Sequence, residues 1–161
     1  MTLTLAVRTC WMTSLTANPK MIGIDTSFLV AWAIPEHPDH SVCRALALQA
    51  TSAGRTFGIT HGILAEFVHV ATDPRRFAQP LTIGVATHFA EFWSQAAEVR
   101  LLRQDQAVSQ QWLAWMTQHH LGRKRLLDTL IAATWHCSGI TAIYTLNPAD
   151  FKIFNLFSSL P

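Results

Sequence analysis

Charge is what this sequence has least of. Only 14% of its 161 residues are Asp, Glu, Lys or Arg, while 50% are hydrophobic; an ordinary globular domain is about 25% charged. Twelve basic residues face ten acidic ones, a formal net charge of +2. Disorder requires the opposite balance, low hydrophobicity with high net charge, and is excluded. A basic nucleic-acid coat and an acidic solvating tail are excluded on the same count. Cysteine is scarce too: Cys10, Cys43 and Cys137 stand far apart with no C-x-x-C pair. That leaves no disulfide framework or zinc knuckle and fits a reducing cytoplasm. Long apolar runs are also missing. Phe28–Ile34 is seven residues, far short of the ~20 that cross a bilayer. The first twenty residues have no continuous apolar stretch leading to a small-residue cleavage site, so neither membrane nor secretion is expected.

What is present is a steady alternation of strand and helix patterns. Residues 1–20 form a weakly patterned leader, and Met21 reads as the natural start of a single domain over 21–161. Met21–Asp25 reads as a strand and Thr26–Ile34 as a helix stopped by Pro35. Asp39 is placed to cap a second helix running to about Ala53, ended by Gly54. Thr56–Thr60 follows as a strand and Gly62–Thr72 as a helix leaving through Asp73-Pro74. Thr82 caps a helix to about Ala97, Val99–Leu102 is a strand, and Gln104–His119 and Leu126–Cys137 are helices. Ala142–Leu146 is a strand, and Phe151–Phe157 a last apolar stretch. Short, wholly apolar strands separated by helices indicate a mostly parallel sheet covered on both faces. At this length one α/β domain buries roughly 70% of its unfolded surface.

With ten acids in the chain, those set among apolar residues stand out. Asp25 closes the first strand, where ligands of open α/β sheets bind; Asp25 or Thr26 is equally placed to cap the following helix. Glu66 lies three residues after Ile63 and four before Val70, inside an apolar stripe. A carboxylate buried there needs a cation, a donor or a proton, unless it reaches water from the helix edge. Asp128 sits at the margin of a stripe of Leu127, Leu130, Ile131 and Trp135, where an acid also complements the helix dipole. Asp150 follows the last strand in turn-forming sequence. Four carboxylates converging on one crevice would repel one another strongly. Mg²⁺ or Mn²⁺, hard ions that take oxygen ligands, answers that problem.

In order along the chain, Ile22-Gly23-Ile24-Asp25-Thr26-Ser27, Leu64-Ala65-Glu66-Phe67, Leu127-Asp128-Thr129-Leu130-Ile131-Ala132-Ala133 and Thr145-Leu146-Asn147-Pro148-Ala149-Asp150-Phe151 resemble the acidic motifs of PIN-domain ribonucleases. Thr72–Phe77 and Pro80–Thr82 extend the second of these motifs. Within that group they resemble the VapC toxins of bacterial toxin–antitoxin pairs. The similarity covers about residues 21–157. One departure is Asn147, where many relatives carry an acid; Asp150 then stands as the fourth acid, with Asn147 a neutral ligand or orienting group.

The resemblance implies a three-layer α/β/α PIN-like domain with a central, mostly parallel sheet of four to five strands. It implies Mg²⁺-dependent hydrolysis of RNA phosphodiesters (Mn²⁺ as a substitute) and a cognate antitoxin; a homodimer is expected from the apolar surface of the helices. Asp25, Glu66, Asp128 and Asp150 would hold the metal and activate water. Thr26, Ser27, Thr145 and Asn147 would hydrogen-bond metal waters or orient the carboxylates, or else serve as caps and strand packing. Arg123, Lys124 and Arg125, with Arg75 and Arg76, would contact RNA phosphates; a solvated surface run is the plainer role for them. Glu66-x-x-His69 is half of a di-iron motif that must occur twice, and His37, His40, His119 and His120 read as loop or helix-end residues. Trp112 and Trp115 read as core or dimer contacts, and Phe89, Phe92 and Trp93 add apolar surface that favours a dimer. Two rivals remain: an inactive PIN-like binding or scaffold module, and a phosphotransfer fold. The second wants a lysine near its acids, and after the leader there are only Lys124 and Lys152.

Overall fold

The computed structural model describes residues 20–160; the leader, apart from Lys20, and Cys10 lie outside the described residues. Its centre is a five-stranded sheet of β1 (Met21–Ile24), β2 (Thr56–Ile59), β3 (Val99–Leu101), β4 (Ala142–Tyr144) and β5 (Ser158–Leu160). The strand order is β3-β2-β1-β4-β5 and every neighbouring pair is parallel. The chain builds outward from β1 to β3, then returns to the other side of β1 with β4. The order therefore reverses between β1 and β4, and a crevice opens beyond the carboxyl ends of those two strands.

Among the described residues six α-helices flank the sheet: α1 (Thr26–Ala33), α2 (His40–Ser52), α3 (His61–Ala71), α4 (Ile83–Gln95), α5 (Gln106–Gln118) and α6 (Leu126–Cys137). Helices α1 to α4 pack on one another, and α5 packs on α6. Helix α1 is buried on nearly all sides, as expected of a helix apolar all round. Gly54, at φ +68°, ends the α2 turn in the left-handed region open to glycine. Thr60, Thr82 and Asp105 each accept a backbone N–H at the start of α3, α4 and α5. Asp39 stands before α2 without a side-chain cap bond; its own N–H donates instead to His37 Nδ1 (3.2 Å).

Three expectations are corrected. Leu127 is 64% exposed and belongs to no buried stripe; α6 buries Ile131, Ala132, Ala133 and Trp135 instead. Glu66 is exposed rather than buried, because α3 turns Ile63, Phe67 and Ala71 into the core. The tail after Phe151 is a short 3-10 turn and then β5, an edge strand whose Ser-Ser-Leu sequence carries no apolar signal. Among the tryptophans, Trp115 is buried and stacks on Phe154, ring centroids 4.6 Å apart. Cys43 is fully buried, and burial pushes its thiol up to about 11, so it is an inert core residue. On β1, Gly23 leaves room for α6: a Cβ there would lie 2.7 Å from the Trp135 indole. No helix among the described residues is long and apolar enough to cross a membrane.

Candidate active site

The crevice at the reversal encloses about 480 Å³ and is lined by Asp25, Glu66, Asp128 and Asp150 together. Four elements deliver them: the end of β1, the middle of α3, the first turn of α6, and the 3-10 turn after β4. Thr26, Ser27 and Asn147 line it too.

Asp25 is the most firmly held. Its backbone N–H donates to the Tyr144 carbonyl (3.0 Å), carrying the sheet register up to the site. It occupies the N-cap position of α1 but makes no side-chain cap bond. Instead Oδ2 accepts from Ser27 Oγ (2.7 Å) and Thr145 Oγ1 (2.8 Å). Those hydroxyls are fixed in turn, Ser27 by the Leu146 N–H (3.0 Å) and Thr145 by the Asn147 N–H (3.0 Å). Oδ2 thus takes two hydroxyl donors, and the Thr26 backbone N–H adds a further hydrogen bond to the carboxylate. At 8% exposure, burial pushes this carboxyl above its ordinary value; the Ser27 and Thr145 bonds pull it back, and the Glu66 charge adds to the push.

Across the crevice Thr26 Oγ1 donates to Glu66 Oε2 (2.7 Å), tying α1 to α3. Asp128 is also raised, first by burial, then by Asp150, with Arg125 opposing and Asp25 and Glu66 contributing. Arg125 turns inward: it hydrogen-bonds both the Asp150 carboxylate and the Asp150 carbonyl and lies 3.7 Å from Asp128 Oδ2. Arg123 and Lys124 are exposed and do not reach the crevice. Arg75 is clamped on Asp73, whereas Arg76 lines the crevice wall.

Among the described residues, no three acidic, His or Cys side chains stand close enough as placed to enclose an ion. The donor set nonetheless suits a hard divalent cation. It is all oxygen, burial and neighbouring charge raise the proton affinity of Asp25 and Asp128, and Asp25 is anchored by two hydroxyls. The wall residue that sequence reasoning reads as an ordinary loop position is His37; Phe77, at the end of the second motif's extension, is given no role there. His37 lies in a loop without periodicity, and only the fold brings it to the crevice of Asp25.

A family model described as "PIN domain" matches residues 22–153. A search of curated proteins finds no match. Among solved structures, the chain is similar to Mycobacterium tuberculosis VapC20, described as a sarcin-ricin loop cleaving toxin. That likeness is 20% identical, with a TM-score of 0.66 over 87% of this chain and 99% of that one. It is also similar to a chain of VapBC2 from Rickettsia felis, solved bound to a DNA fragment from the complex's own promoter. There the identity is 18% and the TM-score 0.58, over 86% of this chain and 98% of that one. At these identities the likeness is one of fold.

Proposed function

Because the chain belongs to the PIN-domain family, we propose that it is a divalent-metal-dependent endoribonuclease acting as the toxin of a toxin–antitoxin pair. The observation that carries this reading is the gathering of Asp25, Glu66, Asp128 and Asp150 on one crevice at the strand-order reversal. Asp25 and Asp128 would hold the ion, with Glu66 and Asp150 ligating directly or through water. Such an ion supplies charge neutralisation at the phosphoryl oxygens and acidifies water. Ser27 and Thr145 hold Asp25 in one orientation, which fixes the direction of its remaining oxygen. Thr26 does the same for Glu66. Arg125 balances Asp128 and Asp150 at the crevice edge, limiting the repulsion that the site must tolerate before a ligand arrives.

An antitoxin and a second copy of the chain are the partners of this reading. A separate apolar groove of about 440 Å³, with Trp32, Leu48, Phe92, Trp93 and Val99 in its walls, supports a protein partner. Exposed apolar area of this kind is where association gains most. The rival reading, an inactive binding module, draws on Arg125 standing between two of the acids. Expression of the chain alone separates the two. Growth arrest that Asp25→Asn abolishes supports the toxin nuclease; no difference between the two proteins sinks it. A purified protein that stays monomeric across micromolar concentrations removes the homodimer.

A further inference from the structure

The crevice does not end at its acids. It runs into a neighbouring cavity of about 410 Å³, and the two share His37, Arg76 and Phe77. Resting on the ribonuclease reading, the geometry points to a nucleotide subsite there. It would take the nucleotide next to the scissile bond of a single-stranded RNA, its phosphate on Arg76 and His37 and its base against Phe77.

Three observations converge on it. Arg76 is the loosely held arginine of the crevice wall, in an i,i+3 ion pair with Asp73 that makes no hydrogen bond. Asp73 is taken by its neighbour, accepting the Arg75 backbone N–H (2.9 Å), Nε (3.1 Å) and Nη2 (3.2 Å). Arg76 Nε stays 3.9 Å from Asp73, beyond hydrogen-bond range, and its guanidinium keeps its donors for an incoming phosphate. Arg125, the other arginine at the site, is engaged by Asp150.

His37 is oriented by its own loop. Its Nδ1 accepts the Asp39 N–H at 3.2 Å, while the Asp39 carboxylate is 3.8 Å away, outside hydrogen-bond range. An accepting Nδ1 carries no proton, so the neutral ring bears it on Nε2. That N–H has no hydrogen-bond partner among the described residues.

Phe77 is half-buried and so held in place, yet it stacks on no other ring among the described residues. A fixed aromatic face beside paired phosphate donors is how single strands are gripped without sequence preference. At the far end of the cavity, Glu36 Oε1 accepts the Gln79 N–H (3.3 Å). A carboxylate there repels phosphate and accepts from a base amino group, which sets the nucleotide's direction: phosphate toward the acids, base outward. The acidic floor repels RNA until an ion neutralises it, so grip must come from beside it, and these three residues supply it.

The test uses the full chain carrying Asp25→Asn, which binds without cleaving, and a fluorescein-labelled single-stranded RNA of about ten nucleotides with Mg²⁺. Arg76→Ala and Phe77→Ala should each weaken binding about tenfold by anisotropy, His37→Ala severalfold, and Phe77→Trp should restore it. Arg103→Ala, an exposed arginine at a distant cavity, is the control. In the cleaving protein the same changes should raise KM and spare kcat. The subsite is overturned if Arg76→Ala and Phe77→Ala bind no worse than Arg103→Ala, if no RNA binds, or if inorganic phosphate displaces the RNA as well as an unlabelled oligonucleotide at equal phosphate concentration. A protein that binds RNA through Arg76 and Phe77 but never cleaves it keeps the subsite and loses the nuclease. Cleavage with unaltered binding in those variants does the reverse.

Discussion

The acidic crevice and the apolar groove are nearly equal in size and opposite in chemistry. The crevice, about 480 Å³, is floored by four carboxylates; the groove, about 440 Å³, is walled by Trp32, Phe92 and Trp93. Trp32 stacks on Phe92 and meets Trp93 edge to face, with centroids 5.9 and 5.2 Å apart. Arg44 lies 4.3 Å over the Trp32 ring. What each region costs the unliganded fold differs in kind. The crevice crowds like charges at low solvation, as the raised Asp25 and Asp128 carboxyls record. The groove leaves large apolar groups in water, with Leu48 69% and Phe92 53% exposed. Each cost defines the ligand that would relieve it, a cation in one case and an apolar partner surface in the other. Volume alone would not have told them apart.

The contrast can be broken most decisively at Asp25. Asp25→Asn should reduce RNA cleavage to background while the apo protein melts no lower than wild type, because an amide needs less solvation than the buried charge it replaces. Calorimetry alongside a cleavage assay reads both. Thr145→Val comes next: it removes one of the two hydroxyls on Asp25 Oδ2 and should cost 10–100-fold in Mn²⁺ affinity, measured by titration calorimetry, with the fold intact by circular dichroism.

The groove should answer in the opposite sense. Leu48→Glu places a charge on an exposed position, so stability should stay within about 0.5 kcal/mol and cleavage should be unchanged. Co-expression with the cognate antitoxin should then fail to rescue growth.

The smallest effect is in pH. A carboxyl whose folded value lies above its unfolded one destabilises the fold when ionised. That penalty is full above the raised folded value and vanishes as pH falls to the ordinary carboxylate value. The Tm advantage of Asp25→Asn over wild type should therefore be a few degrees at pH 7.5, shrink on acidification, and close when Mn²⁺ is added to wild type. An advantage that grows on acidification would contradict the raised Asp25.

Much of this was legible in the amino-acid order, for identifiable reasons. Strands β1 to β4 are short apolar runs between helices with caps and stops, and Thr82 caps its helix as the local chemistry predicts, whereas Thr60, read as a strand end, caps α3. The four acids could be picked out because charge is so scarce around them. Strand β5 was not legible: its pairing with β4 comes from the sheet edge it reaches, not from Ser158-Ser159-Leu160 itself. Glu66 was read one face wrong, since an acid between Ile63 and Val70 fits both the stripe and its border. The inward turn of Arg125 depends on Asp150, twenty-five residues away, and no local pattern encodes it. His37 joins the site through a loop, where spacing carries no signal, and Phe77 stood at the end of a motif without any role read for it.

Gly23 has a consequence that reaches the acids themselves. Side chains alternate along a strand, so residues 23 and 25 lie on one side of β1. Asp128 and Trp135 lie seven residues, about two turns, apart on α6. The Trp135 indole rests against the bare backbone of Gly23, and that contact fixes how near α6 comes to β1. The span between Asp25 and Asp128 is set by the same approach, as the jaws of a caliper follow its beam. An added methyl at residue 23 would open the jaws, so the tolerance of the acidic pair is written at a residue with no side chain.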